Sequence, residues 1–327
     1  MGAPAKPAKT GKSSTKPKAT RPEQGKRIGI LTSGGDAQGM NAAVRSAVRS
    51  AIVLGAKPFA IREGWLGAVQ GGSYIHELTW GDVSNTISKG GTIIGTARCP
   101  EFRDWEGRLK ACENLVKNGI DRLISIGGDG SLRGTEELRQ DWPKLLEQLV
   151  KEKRLSAAAA KAHPSLCIVG IVGSIDNDMA GTDMTIGTDS ALNRILAALD
   201  QLSSTAASHQ RTFVVEVMGR NCGYLALMSA VAGGCDYVLI PENPPAPGWE
   251  DDMCTKLSEG RKHGRRDSIV LVAEGAKDQD GQDITANYVA EAIEQRTGES
   301  ARVTILGHIQ RGGTPSVYDR WMPTLLG

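Results

Sequence analysis

Short runs of aliphatic and β-branched residues recur along the chain from Arg27 onward, and nearly every run ends at a glycine or a charged residue. Apolar runs of this length predict strands buried within a sheet. The predicted strands are Ile28–Leu31, Phe59–Arg62, Arg122–Ile126, Cys167–Val172, Phe213–Val217, Tyr237–Ile240, Ile269–Val272 and Val303–Leu306.

Segments with helical periodicity lie between these runs. The predicted helices are Met40–Leu54, Glu106–Asn118, Ser190–Ser203, Trp249–His263 and Ala286–Arg296. The Lys, Glu and Ala content of Trp142–Ala162 predicts a further helix on the surface. Strands and helices that alternate in this way predict an α/β fold with mostly parallel sheets flanked by helices. The length of 327 residues suits two lobes.

The net charge of +2 is unevenly distributed. Residues 1–27 hold eight basic residues and one acidic residue, so this segment carries +7 and the rest of the chain −5. Much of the remainder of the segment is Pro, Ala, Ser and Gly, which predicts a disordered basic tail over residues 1–26. The tail is either a solvated extension or a tether to an anionic surface or nucleic acid.

Composition argues against several classes of protein. No apolar stretch approaches the roughly 18–20 residues of a membrane span, and no apolar segment follows the N-terminal basic residues, so we expect a cytoplasmic protein without a membrane partner. Aromatic residues make up only 4% of the chain, and no basic face interleaved with aromatics supports nucleic-acid binding. The six cysteines show no CxxC pair and no metal-ligand spacing, which indicates reduced thiols.

Two apolar runs end at acidic residues. Residues 170–178 read GIVGSIDND and end in Asp176 and Asp178, and residues 124–131 read ISIGGDGS around Asp129. Ligands of open α/β sheets bind beyond the carboxyl ends of the strands, so we expect these carboxylates in one cleft. One could bind Mg²⁺ while another takes a proton from a hydroxyl, which are the acid functions that phosphoryl transfer to an alcohol requires.

Glycine-rich turns accompany these acids. Residues 33–41 read SGGDAQGMN and open a helix, where glycines and free N–H groups suit phosphate, although a tight structural turn explains this segment equally well. At the second turn, Gly128 and Gly130 would leave room for a triphosphate beside Asp129, a hard oxygen ligand for Mg²⁺. A turn with an N-cap aspartate is the alternative there.

Cationic residues complete the candidate chemistry. Arg98 lies in the loop GTARCPEFR and could counter charge on a transferred phosphoryl group, or be merely solvated. Further cations fall at or near strand ends, namely Arg211, Arg220, Arg302, His308 and Arg311. Such a set suits a doubly charged sugar phosphate, with ion pairs on a solvated rim as the alternative for any one member. Glu274 ends another apolar run and could bind sugar hydroxyls.

In order along the chain, the motifs are TSGGDAQGMNAAVR, GTARCPEFR, IGGDGS, VGSIDND, GTDMTIGTDSA, SHQRTFVVEVMGR, VAEGA and RVTILGHIQRGGTPSVYDR. From about Arg27 to Arg320 the chain therefore resembles the phosphofructokinases, specifically the N-terminal catalytic half of the eukaryotic ATP-dependent 6-phosphofructokinases. The resemblance implies transfer of the γ-phosphate of MgATP to the 1-hydroxyl of fructose 6-phosphate, a step of glycolysis.

The resemblance also assigns residues. It implies Asp176 as general base with Asp178 and Arg98 in support, and Asp129 as the Mg²⁺ ligand. The implied ATP-binding positions are Gly35, Arg98, Cys99, Gly128, Asp129, Gly130 and Ser131. The implied sugar-phosphate positions are Ser174, Ile175, Asp176, Met218, Gly219, Arg220, Glu274, His308, Ile309, Gln310 and Arg311. Arg211 and Arg302 would join them from a neighbouring subunit, which implies a homo-oligomer.

The same resemblance divides the chain into a nucleotide lobe over residues 27–187, a sugar-phosphate lobe over 188–309, and the start of a return to the first lobe over 310–327. Gly130 and Gly173 favour ATP, because pyrophosphate-dependent relatives usually carry Asp and Lys there. Trp65 replaces a usual Tyr. Relatives continue beyond residue 327, so we expect exposed apolar surface on the first lobe. The alternatives are a chain that binds ATP or full-length subunits without turnover, and a kinase for another acceptor.

Overall fold

The computed structural model describes residues 25–327, and the predicted basic tail lies outside them except for its last two positions. The strands are β1 Arg27–Ser33, β2 Lys57–Ile61, β3 Ile75–Glu77, β4 Ile120–Gly127, β5 Cys167–Val172, β6 Thr212–Val217, β7 Tyr237–Leu239, β8 Ser268–Ala273 and β9 Ala301–Ile305. Every predicted strand is present within a few residues of its expected ends, and the short β3 is an addition.

The α-helices are α1 Met40–Val53, α2 Trp65–Gln70, α3 Trp105–Lys117, α4 Asp129–Lys151, α5 Ala157–Ala162, α6 Thr188–His209, α7 Tyr224–Gly233, α8 Trp249–Lys262, α9 Ala286–Thr297 and α10 Tyr318–Leu326. The five helices predicted from periodicity are all present. Within residues 25–327, no helix is both long enough and apolar enough to cross a membrane.

Two sheets organise these elements. The first has the order β3-β2-β1-β4-β5 and is parallel except for β3, and the second has the order β7-β8-β6-β9 and is wholly parallel. Ser33 pairs with Gly127, and Gly127 pairs with Val172, so β1, β4 and β5 end at the same level. The connection that leaves β1 runs to β2, and the connection that leaves β4 runs to β5 on the opposite side, so a crevice is expected at the carboxyl ends of β1 and β4.

Alternate residues along the strands enter different cores. Ile30 packs with the helices between the sheets, whereas its neighbour Leu31 packs on the opposite face of the first sheet. In the second sheet Val215 joins the central core and Val214 the outer one. Side chains of a strand point to opposite faces in turn, so uninterrupted apolar runs require layers on both sides. The α/β fold class predicted from these runs is confirmed.

Helix α4 differs from its prediction. It begins at Asp129 rather than near Trp142, and Trp142 is fully buried, with its Nε1 donating to the carbonyl of His163 at 3.0 Å. Leu138, Trp142 and Leu145 recur at helical spacing and form one apolar stripe. The expectation of a surface helix starting at Trp142 was therefore wrong, because the polar residues between these positions masked the stripe.

Helix α10 returns to the first sheet and packs against α1. Its Asp319 is fully buried and accepts hydrogen bonds from the N–H of Gly187 at 2.8 Å and from the N–H and Oγ of Ser190 at 2.8 and 2.6 Å. The Oγ of Ser46 on α1 donates to the carbonyl of Thr324 at 2.6 Å. The C-terminal segment is therefore tied both to α1 and to the start of α6.

Strand β5 forms one edge of the first sheet. All of its side chains are apolar or absent, yet Val169 is 52% exposed. Leu325 and Leu326 of α10 are also exposed, at 74% and 53%. Apolar surface is thus exposed both on this edge strand and on α10.

Candidate active site

The carboxyl ends of both sheets face a cavity of about 900 Å³, a volume in the range of small-molecule sites. Twelve residues assigned from the sequence line it: Gly35, Arg98, Cys99, Gly128, Asp129, Gly130, Ser131, Ser174, Asp176, Asp178, Arg220 and Arg311. Residues from distant parts of the chain therefore meet in one cleft.

The first glycine turn follows β1. Gly34 has a φ of +85°, which glycine adopts without strain, and it leads to an exposed Gly35. A Cβ on Gly35 would lie 2.8 Å from Nη1 of Arg311, so this glycine allows the guanidinium to approach the backbone. The turn then enters α1, whose first N–H groups lack intrahelical partners.

The second glycine turn follows β4 and leads directly into α4. A Cβ on Gly128 would meet only ordinary contacts, and one on Gly130 would meet nothing within 4 Å, so the space beside both residues is open. No side chain caps the N-terminus of α4. A helix start of this kind carries unpaired N–H groups and a partial positive charge, and both suit a phosphate group.

Asp176 is the most buried acid of the cleft, at 8% exposure. Its backbone N–H donates to Oγ of Ser174 at 3.2 Å, while its Oδ1 has no hydrogen-bond partner within residues 25–327. Burial raises the pKa of Asp176, and the nearby charges of Asp178 and Glu274 raise it further, against the opposing effect of Arg311 and Arg220. A buried carboxylate with a free oxygen and a raised pKa can accept a proton from a ligand hydroxyl.

Glu274 organises the turn that follows β6. Its Oε1 accepts hydrogen bonds from the N–H of Arg220 at 2.6 Å and of Gly219 at 3.3 Å. Arg220 has a left-handed φ of 56°, and a Cβ on Gly275 would lie 2.0 Å from its carbonyl oxygen. Glu274 therefore holds Arg220 at the mouth of the cleft.

The segment Gly307–Arg311 is a 3₁₀ turn that joins the two sheets. The buried Gln310 accepts from the N–H of Met218 at 3.2 Å through Oε1, and its carbonyl accepts from Nε2 of Gln38 at 2.8 Å. Arg311 donates from Nη1 to the carbonyl of Asp36 at 3.1 Å. His308 and Ile309 are exposed and lie outside the cleft lining, and Ile175 is fully buried in the core.

Two arginines assigned from the sequence lie elsewhere. Arg211 immediately precedes β6, and Arg302 is the second residue of β9, whereas Glu274 follows the end of β8. Since these strands are parallel, both arginines lie toward the amino edge of the sheet, about 13–20 Å from the carboxyl edge at about 3.3 Å per residue. Neither lines the cleft of its own chain.

The donors suit a metal brought by a nucleotide better than one held by the protein alone. Residues 25–327 contain no group of three His, Cys, Asp or Glu side chains able to hold a metal ion. Mg²⁺ is commonly bound through one or two carboxylates together with phosphates and water. Asp129, half exposed beside the open space at Gly130, fits that mode as a single carboxylate ligand.

The far end of the cleft holds residues that the sequence analysis did not assign to the site. The rings of Trp65 and Phe102 stack with centroids 4.0 Å apart and planes at 10°. Arg103, Arg133 and Glu137 line the same end. Trp65 follows β2 at the carboxyl edge of the sheet, and this position after a strand could have indicated that it lies in the site. The α4 residues could not be placed because the start of their helix was mislocated.

The comparisons with known proteins agree with this geometry. Residues 27–327 match the family model for phosphofructokinase. The liver-type ATP-dependent 6-phosphofructokinase of Mus musculus is 56% identical over 93% of this chain and 39% of its own length. ATP-dependent 6-phosphofructokinase 2 of Aspergillus oryzae is 54% identical over 92% of this chain and 39% of its own.

A solved structure shows the same fold. Phosphofructokinase from Saccharomyces cerevisiae has a TM-score of 0.89 and 50% identity, and the likeness covers 92% of this chain and 40% of that one. This chain thus spans about two fifths of the length of these relatives. Sequence, fold and cleft agree, and the chain belongs to the phosphofructokinase family.

Proposed function

We propose that this chain transfers the γ-phosphate of ATP to the 1-hydroxyl of fructose 6-phosphate, giving ADP and fructose 1,6-bisphosphate. The observation that carries the proposal is the buried Asp176, which lines a cleft between glycine turns and cationic side chains and whose Oδ1 has no hydrogen-bond partner within the described residues. The names of its relatives support the same donor and acceptor. The reaction is a step of glycolysis, and we infer a cytoplasmic protein from it.

Asp176 acts as the general base. Its carboxylate takes the proton of the sugar 1-hydroxyl as that oxygen attacks the γ-phosphorus, and the bond from phosphorus to the β,γ-bridging oxygen breaks to release ADP. Arg98 and the helix N-termini stabilise charge on the transferred group. Burial is the main cause of the raised pKa of Asp176, and the negative charge of the more exposed Asp178 adds to it.

The nucleotide binds along the two glycine turns. Gly35 and Gly128 let phosphates approach the main chain, while Gly130 and Ser131 contribute the helix start. Cys99 lies with the Trp65–Phe102 pair at the far end of the cleft, where a base can stack. Mg²⁺ would be held by Asp129 and the phosphates, and it would neutralise part of the negative charge of the phosphates.

The sugar phosphate binds at the opposite end. The main chain at this end is formed by Ser174, Ile175, Met218 and Gly219. The sugar hydroxyls contact Glu274 and Arg220. The 6-phosphate binds to Arg311 and to the segment that contains His308, Ile309 and Gln310.

A second copy of the chain completes the phosphate clamp. Arg211 and Arg302 lie at the amino edge of the second sheet, so they can serve only a cleft that meets that edge. We therefore propose a homo-oligomer in which one subunit supplies these two arginines to its neighbour. The lobes proposed for residues 27–187 and 188–309, with the return over 310–327, are the units that meet at the cleft.

The test is ADP release from MgATP in the presence and absence of fructose 6-phosphate. We expect sugar-dependent release that falls about 10²- to 10⁴-fold in Asp176→Asn, the range of general-base contributions. Asp183→Asn, in the same loop and exposed, is the matched control and should retain the rate. Pyrophosphate is offered as a second donor.

Two results would contradict the proposal. Equal rates of ADP release by Asp176→Asn and the parent chain would show that Asp176 is not the general base. A folded chain that binds ATP but shows no turnover at any protein concentration would support the alternative, a nucleotide-binding chain that associates with full-length subunits.

A further inference from the structure

Arg133 contacts the carboxylate to which the proposed function assigns the metal. Its Nη2 lies 3.0 Å from Oδ2 and 3.3 Å from Oδ1 of Asp129, one turn earlier on α4. Both residues line the cleft. A guanidinium that spans both carboxylate oxygens occupies the lone pairs that a cation would use.

Asp129 is the acidic residue of the cleft that Arg133 contacts. The next acid along the helix in the cleft is Glu137, which pairs with Arg108 at 3.8 Å. Arg103 and Arg98 line the same cavity as further cations. With Asp129 neutralised by Arg133, the nucleotide end of the cleft therefore presents a net positive charge to an incoming polyphosphate.

The pair is weak enough to be exchanged. The side chain of Arg133 is 69% exposed and that of Asp129 is 51% exposed, and ion pairs at such exposure contribute little to stability. A divalent cation carries twice the charge of the guanidinium and binds the same oxygens. It can therefore displace Arg133 at small cost.

We propose that Arg133 is a positioning residue that occupies Asp129 as an internal counter-ion until Mg²⁺ replaces it. The inference rests on the proposed nucleotide site. Without metal, Arg133 shields the phosphates from the charge of Asp129, so the cleft accepts metal-free ATP. With metal, the guanidinium leaves the carboxylate. Arg133 thereby sets how strongly nucleotide binding depends on Mg²⁺.

The test measures ATP binding by calorimetry in EDTA and in saturating Mg²⁺, for the full chain, Arg133→Gln and Arg139→Gln. The readout is the ratio of the Kd without metal to the Kd with metal. Arg133→Gln leaves Asp129 unshielded and removes the competitor of Mg²⁺, so we expect the ratio to rise about fivefold or more. Arg139 pairs with Glu136 on an exposed face of the same helix, and its variant should keep the parent ratio.

A double-mutant cycle locates the effect. In an Asp129→Asn background there is no carboxylate for which Arg133 and Mg²⁺ compete, so Arg133→Gln should change the ratio of the Kd without metal to the Kd with metal less than twofold. If the parent chain binds MgATP, either of two results overturns the inference. One is an unchanged ratio in Arg133→Gln, and the other is an equally large change of the ratio when Arg133→Gln is made in the Asp129→Asn background. Failure of the parent chain to bind ATP at all overturns the proposed function and the inference together.

Discussion

Arg311 connects the two sheets at the carboxylate of Asp176. Its Nη1 donates to the carbonyl of Asp36 at 3.1 Å, and its Nη2 lies 3.9 Å from Oδ1 of Asp176. The guanidinium thus opposes the burial that raises the pKa of Asp176. The same cation is proposed to bind the 6-phosphate, so proton transfer and substrate binding depend on one side chain.

The pH profile tests this dependence. A base works only when deprotonated, so the rate falls as pH drops through the raised pKa of Asp176. Arg311→Gln removes a charge that lowers this pKa, and we expect the acid limb of kcat to move to higher pH while KM for fructose 6-phosphate rises. Profiles of kcat against pH for both proteins provide the measurement. An acid limb that stays in place would show that Arg311 does not influence the base.

Subunit exchange tests the shared clamp. In a mixture of Asp176→Asn and Arg302→Ala chains, some sites combine an intact Asp176 with an intact Arg302 from the neighbour. We expect each variant alone to be at least tenfold slower than the parent, and the unfolded and jointly refolded mixture to regain part of the rate. Asp176→Asn with Arg311→Gln is the matched control, because both residues belong to one cleft. If the test pair recovers no more of the rate than the control does, Arg302 acts in its own chain's site.

Asp319 is expected to anchor the C-terminal helix. Its carboxylate accepts from Gly187 and Ser190, so Asp319→Ala leaves buried donors without partners. We expect a loss of about 2–4 kcal/mol in the free energy of unfolding, measured by urea denaturation. Asp200→Ala, exposed on α6, is the control and should change it by less than about 0.5 kcal/mol. Equal stabilities would mean that α10 is not held by these bonds.

Gly130 is expected to discriminate between donors. The space beside it is empty, so Gly130→Asp should leave the unfolding midpoint unchanged, while its charge faces the nucleotide phosphates. We expect MgATP binding to weaken by at least about tenfold, and by less than about threefold in Gly130→Ala. Tight MgATP binding by Gly130→Asp would place the phosphates elsewhere. Gly173 differs, because a Cβ there would lie 2.9 Å from Cε of Met40.

Thiol reactivity follows burial. Burial raises the pKa of Cys112 above its usual range and that of Cys235 to about 12, and it also raises the pKa of Cys99 in the cleft. Cys167 is exposed at the sheet edge. We expect Cys167 to react first with a disulfide reagent at neutral pH, and ATP to slow only Cys99. Peptide mapping of the labelled protein identifies the order, and labelling of Cys112 before Cys167 would contradict it.

The sequence predicted which residues meet at the carboxyl edge of the first sheet, because that part of the sheet is built from parallel strands. Gly35, Asp129 and Asp176 each follow an apolar run, and strands that end in register bring such residues together. Arg211 and Arg302 also lie next to apolar runs, but at the start of their strands rather than at the end. Arg211 comes before its strand, and Glu274 comes after its own, so chain order already distinguished the two edges.

Helix α7 escaped prediction for a different reason. Its sequence YLALMSAVAG has no polar face, and such a run cannot be assigned to strand or helix by periodicity. Leu227 and Val231 of this helix are 40% and 74% exposed. Tertiary position, which no local pattern encodes, determines which side of an all-apolar helix is buried.

The edge strand β5 leaves a part of the first sheet open to other polypeptides. Natural sheets protect their edges with lysines, prolines or bulges, and Cys167–Val172 has none of these. The carbonyl of Val172 already accepts from the N–H of Ile186, but the outward N–H and C=O groups before it can pair with a strand of another molecule, with Val169 and the exposed Leu326 beside them as apolar contacts. We therefore expect strand pairing at this edge to promote association of the chain as its concentration rises, and a lysine introduced there to oppose it.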